Sequence, residues 1–84
     1  MAKRMMYSVN FKTGKKRLMA TFELLKGKVT AEYEVGQEGL QKDIEGGLIM
    51  SKGVPLRPQD GKTFYDALRE TYSQSSSVSV EDTK

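Results

Sequence analysis

Two residue types with distinctive chemistry are missing from this chain. Its 84 residues contain no cysteine and no histidine. Without cysteine there can be no disulfide, no thiolate nucleophile and no cysteine metal site. Without histidine the chain lacks the commonest general base and the commonest transition-metal ligand. The sequence therefore predicts a protein with no metal and no other cofactor, and a reducing, cytoplasmic location is the default expectation for a chain without cysteine.

Long hydrophobic runs are missing as well. No apolar stretch approaches the roughly 20 residues that span a bilayer, and residues 1–11 lack the apolar centre of a secretory signal. Hydrophobic residues make up 37% of the chain and charged residues 30%, which is typical of a small soluble domain. We expect a single domain over residues 1–75, a polar tail over residues 76–84, and no contact with a membrane.

Charge is unevenly distributed along the chain. Residues 1–28 carry eight basic groups and one acidic group, whereas residues 29–84 carry six basic and ten acidic groups. An asymmetry of this kind suggests an anionic partner for the basic part. A plain charge gradient on a soluble surface explains the same numbers, so both interpretations stay open.

The strongest structural signal lies in residues 18–35. Apolar and polar residues alternate on both sides of Lys26-Gly27. If these two residues form the turn, the apolar residues of the two arms face each other in four pairs: Leu18 with Val35, Ala20 with Tyr33, Phe22 with Ala31, and Leu24 with Val29. Because a slip of one residue would turn this set toward water, the pattern predicts a β-hairpin in this register, with Met19 and Leu25 on its outer face.

Residues 5–11 alternate in the same way and predict a strand before that hairpin. The register that best matches apolar residues gives three pairs: Phe11 with Leu18, Val9 with Ala20, and Tyr7 with Phe22. It leaves Gly14-Lys15 as a two-residue turn, in which glycine comes first as a type II′ turn requires. The predicted three-stranded meander has one apolar face that needs a cover, an outer face that includes Met6, and an uncharged first strand at its edge.

Two helices can supply the cover. Residues 58–72 predict the longer one, because apolar residues recur there at helical spacing: Phe64, Ala67, Leu68 and Tyr72. Residues 37–45 predict a shorter helix that Gly46-Gly47 ends. The fold class is therefore α+β, a three-stranded antiparallel β-meander with one or two helices packed on one face. Residues 46–57 leave helix, strand and loop open.

The last twelve residues are polar and rich in serine. This composition predicts a disordered tail over residues 76–84. The alternative is an edge strand through Val78 and Val80, whose spacing of two suits a strand.

One surface patch carries a functional hypothesis. Lys12, Lys15, Lys16 and Arg17 fall together at the turn of the first hairpin. Clustered cations on a two-stranded ribbon suit phosphate groups and a nucleic-acid groove. Aromatic stacking contributes little in this interpretation, because Phe11 is expected to face the core. An ordinary charged loop and a site for an acidic protein surface are the alternatives.

Signals for catalysis are weaker. Asp43 and Glu45 point in different directions on a helix, and Glu32 and Glu34 suit a solvated sheet face. Residues 12–16 have the letters of a phosphate-binding loop without its spacing. We predict no enzyme activity. The expected function is a small interaction or regulatory module whose partner is another protein, and the alternative is nucleic-acid binding through the basic hairpin. A homodimer through the free first-strand edge stays open, and the sequence does not identify the partner or the pathway.

Overall fold

The computed structural model describes residues 2–83. Residues 1 and 84, which belong to the predicted domain and tail, lie outside the described residues. The elements follow one another in this order: β1 Ala2–Val9, β2 Lys16–Leu25, β3 Lys28–Tyr33, α1 Glu38–Glu45, β4 Ile49–Ser51, β5 Val54–Leu56, a 3₁₀ helix Pro58–Asp60, α2 Lys62–Thr71 and β6 Val78–Thr83. The fold class is α+β, as predicted, with a four-stranded antiparallel sheet, a two-stranded sheet and two α-helices.

The larger sheet has the strand order β3-β2-β1-β6. Its first three strands are the predicted meander, and the fourth comes from the segment predicted to be a disordered tail. That prediction is wrong for β6, which pairs antiparallel with β1, while Val78 and Val80 pack against the core. β6 satisfies backbone groups that β1 would otherwise leave unpaired at an edge. β1 is therefore an inner strand and does not offer the free edge considered for a dimer.

The hairpin of β2 and β3 has the predicted register. Three of the four predicted pairs form: Ala20 with Tyr33, Phe22 with Ala31, and Leu24 with Val29. Lys26 and Gly27 both have positive φ angles, 51° and 76°, as a type I′ turn requires. The fourth pair, Leu18 with Val35, does not form, because β3 ends at Tyr33 and Val35 is 92% exposed.

The register of β1 differs from the prediction. Ala20 pairs with Met6 rather than Val9, and Leu18 pairs with Tyr7 rather than Phe11. Between these two pairs the register skips Met19, so β2 contains a bulge there. Met6 is buried and Met19 packs against the core, although both were expected on the outer face. Alternation alone could not decide between Met5 and Met6, and the bulge shifts the alternation within β2.

The helices cover the apolar face of the sheet. Phe64, Ala67 and Leu68 of α2 are buried as predicted, and the ring of Phe64 lies 5.6 Å from that of Phe22. Gly61, with φ 66° and ψ −130°, interrupts the predicted helix between the 3₁₀ helix and α2. Ile44 of α1 completes this layer, and within the undecided residues 46–57 the strands β4 and β5 form a hairpin.

Arg4 is the charged residue that ties the sheet to α2. Its side chain is only 14% exposed, and its guanidinium lies 4.3 Å from the ring centre of Tyr65. The Nε atom donates to Asp82 at 2.7 Å, and an Nη atom donates to the carbonyl oxygen of Tyr65. Asp82 also accepts from Arg69 at 3.2 Å. These contacts hold the end of β6 on α2, which explains how an arginine occupies an inward strand position.

Candidate functional site

The connection between β1 and β2 covers residues 10–15, and within it residues 11–14 form a four-residue hairpin loop rather than the predicted two-residue turn. Asn10 and Lys15 close it, since the Asn10 N–H donates to the Lys15 carbonyl oxygen at 2.9 Å. The Asn10 side chain accepts from the backbone N–H groups of Lys12 and Thr13 at 2.9 and 3.3 Å. Gly14, with φ 74°, supplies the left-handed residue that brings the chain back. Asparagine favours such a turn because its side chain replaces a backbone acceptor.

Phe11 stands at the tip of this β1–β2 loop and is 82% exposed. The prediction that it packs on Leu18 is wrong. β1 ends at Val9, and Asn10 turns the chain before Phe11 can reach the sheet. The exposed ring of Phe11 keeps apolar surface in contact with water, which is unfavourable relative to a buried ring. Its ring is therefore available to a partner.

The four predicted site residues remain together, but they differ in their surroundings. We call Lys12, Lys15, Lys16 and Arg17 the loop cations, and all four are exposed. Lys16 forms an ion pair with Glu81 of β6. Within residues 2–83, the other three make no ion pair with a carboxylate. Arg17 lies opposite Ser8 in the sheet and therefore does not face Lys12 directly.

Glu81 is the acidic neighbour of this site. Hydrogen bonds that its carboxylate accepts from Lys16 and Ser79 lower the pKa of Glu81 below its usual value. Glu81 is therefore fully ionised at neutral pH. One of the four positive charges is balanced within the protein, and three remain for an external anion.

A cleft of about 700 Å³ adjoins the loop. Val9 and Lys16, which flank the loop, line it together with Arg69, Tyr72 and Ser75. Burial, with a smaller contribution from the nearby Asp43, raises the pKa of Tyr72, so its phenol stays protonated at neutral pH. The cleft thus presents hydroxyl and cationic donors, together with the carboxylate of Glu70, and this mixture suits the binding of polar groups.

Metal ligands and membrane-spanning helices are two other features that could carry a function. Residues 2–83 hold no group of three or more acidic side chains placed to bind a metal ion. Neither α1 nor α2 is long and apolar enough to cross a membrane.

Sequence reasoning found the loop cations but missed two features of the site. The exposure of Phe11 follows from the Asn10 turn, and the spacing of Asn10 and Gly14 is the signal that could have shown it. The pairing of Glu81 with Lys16 requires β6 to join the sheet, which the alternation of Val78 and Val80 hinted at. Comparison with protein-family models, with curated proteins and with solved structures found no match to this chain.

Proposed function

We propose that this protein is a non-catalytic binding module that holds a single-stranded nucleic acid on its β1–β2 loop. The observation that carries the proposal is Phe11, 82% exposed, among loop cations of which three have no carboxylate partner within residues 2–83. A cytoplasmic location, expected from the sequence, belongs to the same proposal.

Base stacking and phosphate contacts would both contribute to such binding. Bases stack on exposed aromatic rings with little dependence on sequence, worth about 1–3 kcal/mol per base. Lysine and arginine side chains near that ring contact the phosphates on either side of the stacked base, and each contact releases counterions. Stacking requires unpaired bases, so a single strand fits this loop better than a duplex. An acidic protein surface would pair with the cations, but this charge pairing alone would not involve the ring of Phe11.

The cations are tested with a matched pair of double variants. Lys12→Gln with Lys15→Gln removes two charges at the loop, and Lys26→Gln with Lys28→Gln removes two at the opposite end of β2. Fluorescence anisotropy with a labelled oligothymidylate, measured over a series of salt concentrations, gives affinity and salt slope. We expect the loop variant to lower the slope by about 1.4, since each phosphate contact on a single strand contributes about 0.7. The variant at Lys26 and Lys28 should keep the parent slope.

Phe11→Ala separates nucleic acid from other polyanions. It should weaken binding of the oligothymidylate about fivefold or more, because one stacked base is lost. Binding of heparin, which has charge but no bases, should not change. The proposal is wrong if the parent shows no salt-dependent binding, if both lysine variants behave alike, or if Phe11→Ala weakens heparin and oligonucleotide equally.

A further inference from the structure

Lys16 and Glu81 form an ion pair although they lie on strands that are not neighbours in the sheet. Lys16 begins β2 and Glu81 lies in β6, with β1 between them in the sheet. Lys16 Nζ and the hydroxyl of Ser79 both donate to the same oxygen, Oε2 of Glu81. The pairing of β6 with β1, which sets Glu81 opposite Met5, fixes the carboxylate at this place. The carboxylate of Glu81 is therefore already bound to Lys16, one of the four loop cations.

From this contact we infer that Glu81 acts as an internal competitor for the anionic ligand and occupies Lys16 until a phosphate displaces it. The inference rests on the function proposed above and concerns the regulation of the same site. A carboxylate oxygen and a phosphate oxygen are equivalent acceptors for a lysine ammonium group. Lys16 and Glu81 are both about half exposed, so the lysine can change partner without burying a charge.

The exchange has a consequence for affinity. Binding that uses Lys16 must first break its contact with Glu81, so part of the attraction to phosphate is offset. Lys12, Lys15 and Arg17 carry no such offset within residues 2–83. A weakly bound strand then contacts only Lys12, Lys15 and Arg17. Lys16 makes a fourth phosphate contact only when a phosphate of the strand reaches it and displaces Glu81.

Removal of the competitor is the direct test. Glu81→Gln should tighten binding of oligothymidylate about two- to fivefold, because the free energy of an exposed ion pair corresponds to a factor of this size. The salt slope should rise by up to about 0.7, because Lys16 is free to contact a phosphate in every complex of the variant, whereas in the parent Glu81 holds it in some of them. Glu23→Gln is the matched control, since Glu23 also lies in the sheet, pairs with a lysine at 3.8 Å and changes the net charge by the same amount. It should alter affinity less than Glu81→Gln and leave the slope unchanged.

Two more variants isolate the contact. In a Lys16→Gln background, the change Glu81→Gln should tighten binding no more than Glu23→Gln does, because only the change in net charge remains and the lysine that it frees is absent. Glu81→Asp keeps the net charge and shortens the side chain, so it should tighten binding in the same direction but less. Circular dichroism and thermal unfolding of each variant show whether β6 remains paired, and Glu81→Asp serves where Glu81→Gln loses that strand.

The outcomes separate the inference from the function on which it rests. If the parent binds through Phe11 and Lys12 but Glu81→Gln only matches Glu23→Gln, the function stands and the inference is wrong. The inference is equally wrong if Glu81→Gln tightens binding as much in the Lys16→Gln background as it does in the parent. If the parent binds no oligonucleotide, the function itself falls.

Discussion

The two hairpins of the main sheet share β2 and differ at their ends. The Lys26-Gly27 turn between β2 and β3 packs against the start of α2, so closely that a Cβ atom on Gly61 would lie 2.4 Å from the Gly27 carbonyl oxygen. A Cβ atom on Gly14, in the β1–β2 loop, would meet nothing within 4 Å. One hairpin end is exposed but packs against the start of α2, whereas the other projects into solvent.

This difference separates stability from binding. Phe22 lies on the shared strand β2, pairs with Ala31 in the packed hairpin, and is fully buried with its ring against those of Phe64 and Tyr33. The open hairpin carries Phe11, the exposed phenylalanine among the loop cations. Because Phe11 is 82% exposed, it adds little to the stability of the free protein, and its ring remains accessible to a partner. We expect substitutions at the packed end to change folding and substitutions at the open end to change binding.

The two phenylalanines give the largest expected contrast. Phe22→Ala should destabilise the protein by about 3–5 kcal/mol, because it removes a buried ring and leaves a cavity. Phe11→Ala should change stability by no more than about 0.5 kcal/mol, as surface substitutions usually do. Urea unfolding followed by circular dichroism measures both. Equal losses in the two variants would show that Phe11 packs on the protein and that the two hairpins do not differ in this way.

The two glycines give the second contrast. Gly14→Ala places a side chain at φ 74° in open space, and it should cost about 1–2 kcal/mol for the left-handed backbone alone. Gly61→Ala adds a steric clash with the backbone of Gly27 to a similar backbone penalty, and we expect a loss of about 2–4 kcal/mol. The midpoint of thermal unfolding ranks the two variants. If Gly14→Ala is the more damaging, the open loop is more tightly constrained than its surroundings indicate.

The same comparison explains what the sequence could predict. The β2–β3 hairpin was predictable because two periodic arms and a two-residue turn permit only one register. The apolar stripe of α2 was predictable for a similar reason, since Phe64, Ala67 and Leu68 recur at helical spacing. In both cases local pattern and tertiary burial agree.

The open hairpin was harder to predict because its determinants are not periodic. Met5 and Met6 are equally apolar, so the alternation of β1 does not show which one faces the core. The bulge at Met19 shifts the register and the turn at Asn10 ends β1, and the alternation of apolar and polar residues predicts neither of them. Arg4 interrupts the apolar pattern on the inner side of β1. Its charge is paired with Asp82, and the alternation within β1 cannot show this contact because Asp82 lies far along the chain. The loop cations were identified from composition, whereas the exposure of Phe11 required the structure.

Tyr33 gives the smallest expected effect and tests how completely the packed hairpin is satisfied. Within residues 2–83 its hydroxyl is buried and has no hydrogen-bond partner. Burial, with a smaller contribution from Glu45, raises the pKa of Tyr33 to about 12 from the usual 10. The folded state therefore favours the protonated phenol. This contribution to stability is fully present below pH 10 and is lost as the pH rises from 10 through 12.

Tyr33→Phe removes the unpaired hydroxyl and keeps the ring that packs 6.1 Å from Phe22. At pH 7 we expect unchanged stability or a gain of up to about 1 kcal/mol, because an unsatisfied buried hydroxyl is unfavourable. Above pH 10 the variant should lose less stability than the parent, since no phenol at this position ionises on unfolding. Urea unfolding at pH 7 and at intervals between pH 9.5 and 11.5 measures both effects. A clear loss at pH 7 would mean that the hydroxyl has a bound partner, such as an ordered water, and that this hairpin is less dry than its packing indicates.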